Sequence, residues 1–397
     1  AYRLYDLAGA QAFHEGASDN PDTIGARAIS AQIVELRLAA PTTYLLYLLA
    51  DAISYPQPQH LIERVGADWS TPAKLVCSGP FRVSDWQADQ ALGLARNPHY
   101  RGYALGNLGH VELRFVAPDS DAYKRREVDW LRIEDQSVGD AEWSSSITVL
   151  GLSTYFLAFS CAHPLFSNQA ARLAFAHCID KDALVERAWG GVQIAATGGV
   201  VPLALPGYSP GLSPLYDPNK ARALLGSAPL KHAGPLLLAS RAGFGATAGL
   251  LAEAWREQLG VAVEVRDDLS ASAFLEGLRA GTVAMALIGW DFEYPDPGNI
   301  LRGFFHSASP LNYCGWQNAR FDALVDAAAT ENDQALRMRL YHEAERLLVA
   351  EAAPAAPLYY HRAYGLLRPG FSLANGVRVL RGDRFRLKQL RIDAKVG

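Results

Sequence analysis

The sequence predicts an α/β protein of more than one domain, and three observations predict it. At 397 residues the chain is longer than one ordinary hydrophobic core organises. Its composition, 50% hydrophobic and 20% charged, is that of a folded globular chain. Between residues 218 and 288, apolar runs with helical and with strand spacing alternate, as they do where crossover helices join parallel strands.

Taken in order, residues 1–76 read as a small α+β unit. Apolar groups have helical spacing over 1–16. Alternation over 27–38, with Ile29, Ile33, Leu36 and Leu38, predicts a strand, and a second helix covers 44–49 before Pro56 and Pro58. Residues 79–86 and 91–96 form two strands of a hairpin that ends at Asn97 and Pro98, and further strands are expected over 111–116 and 128–133. A strand over 155–160 leads to a long helix over 168–189, stopped by Gly190 and Gly191. A Pro/Gly-rich crossing over 200–218 introduces the alternating region. Its helices are expected over 218–225, 246–259 and 271–279, and its strands over 235–239, 261–265 and 284–288. A last helix over 333–350 and a strand over 357–367 precede a mixed tail, and no internal repeat is visible.

Several function classes lose ground at once. The net charge of −4 is spread in both signs along the chain, whereas a nucleic-acid binder would carry a basic face. No apolar run approaches the ~20 residues that span a bilayer. The first residues lack a signal-peptide pattern, as a mature secreted chain also would. Cys178 falls in a periodic run and reads as a core residue. Among Cys77, Cys161 and Cys314 a disulfide is open, with no pairing fixed by spacing. His342 and Glu343 begin a zinc-protease-like spacing, but position 346 is Arg, and no CxxC, P-loop or GxSxG occurs. His163 and His177 stand singly. Gly243, Gly245 and Gly249 follow a strand and open a helix, with Glu264 some twenty residues on. The spacing is GxGxxxG rather than GxGxxG, so a flexible turn competes with a dinucleotide site and a dehydrogenase ranks third among the functional readings. No catalytic set, metal set or cofactor is expected.

The segment 287–299 (LIGWDFEYPDPGN) stands apart. It leaves an apolar strand through Gly289 and presents Trp290, Asp291, Phe292, Glu293 and Tyr294 before prolines stop it. Ligands of open α/β sheets gather at the carboxyl ends of strands. Aromatic rings there give flat contact area, and a carboxylate can hold a cationic group. The competing reading, aromatics that merely cap the core, fits the composition equally well.

That loop resembles the family-5 extracellular solute-binding proteins of ABC transporters, whose GW-x-x-D-Y-P-D-P pattern is matched by Gly289, Trp290, Glu293, Tyr294, Pro295, Asp296 and Pro297. Further stretches are similar in the same order. Ser78, Gly79, Pro80 and Phe81 with Trp86 match GTGPY…W, and Arg96, Asn97, Pro98 and Tyr100 match RNPxY. Val128, Asp129 and Trp130 sit where the family has G-E-[IV]-D. Tyr155, Phe156, Phe159, Pro164, Leu165 and Phe166 match YxxFN…PPF, and Ile179, Asp180, Lys181, Asp182, Ala183 and Leu184 match AIDRDAL. Tyr216, Asp217, Pro218, Lys220 and Ala221 match YDPxKA. Asn312, Tyr313, Trp316, Asn318, Phe321, Asp322 and Leu324 match NYxxWxNPxFDxL.

The resemblance implies a two-lobed periplasmic-binding-protein type II-like α/β fold with a small additional α+β domain, N-terminally incomplete because the match begins part-way through the family's fold. The implied segments are a small domain over 1–76, a first-lobe segment over 77–152, a second lobe with the ligand loop over 153–365, and a return to the first lobe over 366–397. It further implies a small ligand, most simply a peptide, held by Trp290, Asp291, Glu293, Tyr155, Asn312 and Tyr313. In the family's amine binders the central carboxylate is Asp, and Glu293 replaces it here. The implied partner is a membrane permease, reached by a monomeric carrier that is periplasmic or extracellular and anchored through an N-terminal segment outside this chain. A ligand-sensing domain of a transcriptional regulator is the alternative.

Overall fold

The structure is a computed structural model that describes residues 4–104, 106–115, 120–133, 146–228, 235–373, 379–380 and 387–393. The chain divides into two compact units. The larger comprises Ala1–Tyr55, Leu152–Ala188 and Ile194–Tyr360, and the smaller comprises Pro56–Gly151, Trp189–Gln193 and His361–Gly397. The boundaries at 151 and 360 fall inside two long strands, Ser146–Phe159 and Ala355–Leu367.

The sheet of the larger unit runs in the order Val263–Arg266, Leu236–Ala239, Met285–Asp291, Ser146–Phe159, Ala355–Leu367. Leu236–Ala239 pairs in parallel with both Val263–Arg266 and Met285–Asp291, which requires crossovers between strands that are adjacent in sequence. The helices Gly245–Leu259 and Ala271–Ala280 are those crossovers. Such strands are covered on both faces, and accordingly Leu236, Leu238, Met285, Ala286 and Leu287 are buried in near-continuous apolar runs. The second helix starts where Ser270 Oγ accepts the Ala273 N–H at 3.2 Å. Met285–Asp291 then pairs antiparallel with Ser146–Phe159, with Gly289 opposite Tyr155 and Asp291 opposite Ser153. One face of this sheet carries Phe156, Ala158, Ala286 and Ile288 into a core with Phe304, Phe305, Phe321, Tyr341 and Leu348.

Several elements differ from the sequence expectation. The helix expected over 1–16 is reduced to Ala10–His14. The strand over 27–38 is a hairpin, Ala26–Ser30 against Ile33–Leu36, and both of its strands are mostly exposed, so the apolar alternation marks pairing rather than burial. The helix over 168–189 is two helices, Gln169–His177 and Lys181–Trp189. Asp180 accepts the Ala183 N–H at 3.0 Å and so starts the second one afresh. The last helix is α-helical over Gln334–Glu345 and widens to a π-helix over Arg346–Ala352. A helix without a sequence expectation, Ala319–Thr330, begins where Asn318 Oδ1 accepts the Phe321 N–H at 3.0 Å.

In the smaller unit, Phe81–Gln87, Ala91–Arg96 and His110–Arg114 form an antiparallel meander that contains the expected hairpin. Trp130–Ile133 pairs antiparallel with the end of Ala355–Leu367.

Candidate ligand-binding site

Met285–Asp291 is apolar through Ile288 and opens at Gly289, where the missing side chain has a purpose. A Cβ there would lie 2.6 Å from Tyr155 Cε1, so only glycine lets the Tyr155 ring lie over the strand. The antiparallel register puts Tyr155, Gly289, Ser153 and Asp291 on one face of the sheet. Tyr155 stacks on Tyr359 at 4.8 Å between ring centroids and meets Phe244 at 5.5 Å. Arg241 and Phe244 come from the turn that leaves the carboxyl end of Leu236–Ala239. These residues line a hollow of about 70 Å³, whose lining includes Tyr155, Arg241, Phe244, Gly289, Asp291 and Tyr359.

The polar groups of the hollow are opposite in sign. Asp291 is exposed, and its Oδ1 accepts the Ser153 hydroxyl at 2.5 Å, which fixes the carboxylate at the strand end. Arg241 is exposed, and its guanidinium has no ion-pair partner among the described residues. A carboxylate and a guanidinium beside three aromatic rings can receive a molecule with an ammonium, a carboxylate and an apolar part.

The other sequence-predicted residues lie elsewhere in the same unit. Trp290 points to the opposite face, where its indole N–H donates to Asn299 Oδ1 at 2.8 Å and its ring meets Phe304 edge-on at 5.4 Å. Tyr313 reaches the same Phe304 at 6.2 Å and lies under the Arg279 guanidinium at 4.6 Å. Asn312 spends its amide N–H groups on the carbonyls of Trp316 at 2.8 Å and His306 at 3.4 Å. Its Oδ1 is buried without a hydrogen-bond partner among the described residues. Glu293 is half-buried, between the fully buried Phe292 and the half-buried Tyr294. Tyr294 stacks on Tyr44 at 4.3 Å, and burial raises its hydroxyl well above the usual tyrosine range. The loop ends on Asp296, which accepts the Gly298 N–H at 2.9 Å and pairs with Arg337 in the interior.

The structure thus brings Tyr155 and Asp291 together, and it groups Trp290 with Tyr313 around Phe304 on the other face. Arg241, Phe244, Tyr359 and Ser153 were not predicted from sequence. The available signal was position: Arg241 and Phe244 follow a parallel strand at its carboxyl end, as the 287–299 loop does. The glycine segment at 243–249 is a turn and a helix start. The Asp267 carboxylate stands where a Cβ on Gly245 would meet it at 2.9 Å, which places negative charge where a pyrophosphate would sit.

Comparison with known proteins agrees with this architecture. The profile of the bacterial extracellular solute-binding proteins, family 5 Middle, matches residues 2–312. The "Probable deoxycholate-binding periplasmic protein YgiS" of Escherichia coli is 28% identical over 374 residues, covering 89% of this chain and 69% of that protein. The periplasmic oligopeptide-binding protein OppA of the same organism is 25% identical over 381 residues, 91% of this chain and 69% of that one. Among solved structures, the Escherichia coli murein tripeptide binding protein MppA superposes with a TM-score of 0.77 at 22% identity, over 98% of this chain and 78% of that one. The chain belongs to the bacterial extracellular solute-binding proteins of family 5.

Proposed function

We propose that this chain is the solute-binding component of an ABC importer and that it takes a peptide or peptide-like zwitterion at the carboxyl end of Met285–Asp291. One observation carries the choice of ligand: Asp291 and Arg241, opposite in charge, stand on one hollow walled by Tyr155, Phe244 and Tyr359. In this reading Asp291, with Glu293 two residues on, receives the ammonium, and Arg241 receives a carboxylate. Tyr155 packs on the apolar part. Trp290, Tyr313 and Asn312, on the opposite face of the sheet, support the loop from behind rather than touch the end of the ligand held in the hollow. A hollow of about 70 Å³ is small beside the ~300–1,000 Å³ of sites that enclose whole small molecules, so it receives one end of the ligand.

The family supports carriage rather than catalysis as the role, and the peptide-binding names of OppA and MppA support the ligand class. Periplasmic relatives support an extracytoplasmic location, and among the described residues no helix is long and apolar enough to cross a membrane. A monomer that docks on a membrane permease completes the reading.

Calorimetry against di- to pentapeptides and against deoxycholate tests it. Peptides should bind, and Asp291→Asn and Arg241→Ala should each weaken them about tenfold or more, as the loss of a charge-assisted hydrogen bond does. Deoxycholate binding that ignores Asp291→Asn would replace the zwitterion with an anionic amphiphile. No binding by either class would sink the ligand assignment.

A further inference from the structure

We propose that Cys161 and Cys314 close an intrachain disulfide when this protein folds in an oxidising compartment, tying the end of strand Ser146–Phe159 to the turn that carries Asn312, Tyr313 and Trp316. All four cysteines are free thiols in this structure. Two of them are nevertheless brought into register: the Cys161 main-chain N–H donates to the Cys314 carbonyl at 2.8 Å. A main-chain hydrogen bond of this kind sets the two Cα atoms roughly 5–6 Å apart, inside the ~4.4–6.8 Å that disulfides span. Both side chains belong to the same apolar core, Cys314 wholly buried with its thiol on the Pro354 carbonyl at 3.6 Å and Cys161 packed at the edge of that core. A third group reports the same proximity. The Arg172 guanidinium, held by the carbonyls of Ala352 at 2.9 Å and Phe166 at 2.6 Å, lies close enough to both thiols to interact with each.

The other cysteines are placed differently. Cys77 belongs to the smaller unit, and Cys178 is buried at the end of helix Gln169–His177. Within the larger unit, the one pair of cysteines joined by a main-chain hydrogen bond is Cys161 with Cys314.

Timing follows from burial. In the folded chain burial raises both thiols, so little thiolate is present and exchange is slow. Closure belongs to folding, before the core shuts. It joins the two Sγ atoms, releases two protons and passes two electrons to a protein disulfide oxidant, whose own disulfide is reduced to two thiols. The proposal rests on the extracellular character of the family, where such oxidants operate, and is independent of the ligand. The closed loop of about 150 residues contains most of the larger unit, a length at which cross-linking strongly restricts the unfolded chain.

The test uses the full chain refolded from denaturant in a mixed oxidised and reduced glutathione buffer, blocked with N-ethylmaleimide and digested without reductant. One cross-linked peptide pair, containing Cys161 and Cys314, is expected, with Cys77 and Cys178 alkylated. Reduction of that species should lower Tm by about 5 °C. Cys77→Ser should keep this drop, and the double variant Cys161→Ala with Cys314→Ala should abolish it. Four alkylated cysteines after oxidative refolding, or cross-links distributed over other pairs, overturn the proposal whatever the variants do.

Discussion

Glu345 is the residue whose chemistry is most altered by its surroundings. It is fully buried, and desolvation pushes its carboxyl from the ordinary 4.5 up to about 8. Its Oε1 accepts the Val201 N–H at 2.7 Å, and the backbone at Gly199 lies so near that a Cβ would stand 2.0 Å from that oxygen. Tyr360 donates to the Gly199 carbonyl at 2.8 Å, and His342 meets Ser209 at 2.8 Å. Arg346, next in sequence, is engaged by Glu343 and Glu351. The folded state therefore holds the Glu345 proton more tightly than the unfolded chain does. Its stabilising contribution is complete below about pH 4.5 and is lost as pH rises through about 8. Urea unfolding between pH 5 and 9 should show a fall of about 2–5 kcal/mol that Glu345→Gln, a neutral isostere, largely removes. An equal fall in that variant would assign the pH dependence to other groups. A second interior pair makes a sharper demand on stability. Arg337 donates to Asp296 and to Tyr341 with both ion-pair side chains buried, and burial raises the Tyr341 hydroxyl. Arg337→Ala leaves Asp296 charged in the interior, and a loss of about 3–5 kcal/mol is expected in denaturant unfolding. A loss below about 1 kcal/mol would mean that the carboxylate finds solvent.

At the scale of elements, single polar side chains decide where helices begin. Asp180 interrupts what would otherwise be one long helix, and Asp180→Ala should cost about 1 kcal/mol, read as a lower urea midpoint at unchanged m. The same residue shows what a sequence conceals. The strand at 91–96 and the helices at 246–259 and 271–279 are legible to within a residue, because each is a sustained local pattern. The break at 178–180 is not, since apolar spacing continues through it while one carboxylate supplies the cap. Ala319–Thr330 was missed because its start depends on Asn318 in the same way. The π-helical turn Arg346–Ala352 has no periodicity of its own to read. For the site the divide is sharper. Tyr155 and Asp291 belong to segments with visible chemistry, whereas Arg241, Phe244 and Tyr359 join them only through strand pairing across distant parts of the chain. Register is a property of the folded sheet, and no single segment encodes it.

Across the whole molecule, burial is unequal between the two units. Among the described residues, the large fully buried side chains, such as Trp255, Phe156, Phe159, Phe166, Phe175, Phe304, Phe305 and Phe321, belong to the larger unit. In the smaller one, the meander strands Phe81–Gln87 and His110–Arg114 are exposed along most of their length and Ala91–Arg96 is mostly half-buried, and Trp86 shows 46% of its surface. Since apolar burial is the dominant favourable term in folding, local stability should divide along the same line. Hydrogen exchange followed by mass spectrometry can read this directly. Amides of Phe81–Gln87, Ala91–Arg96 and His110–Arg114 should exchange well before those of residues 155–159 and of Leu236–Ala239, although both sets are hydrogen-bonded in ladders. At rising urea the smaller unit should reach full exchange first, while the strand Met285–Asp291 and the hollow beside it stay protected. A single cooperative step in which both sets lose protection together would show that the five chain passages between the units couple their folding more strongly than burial separates it.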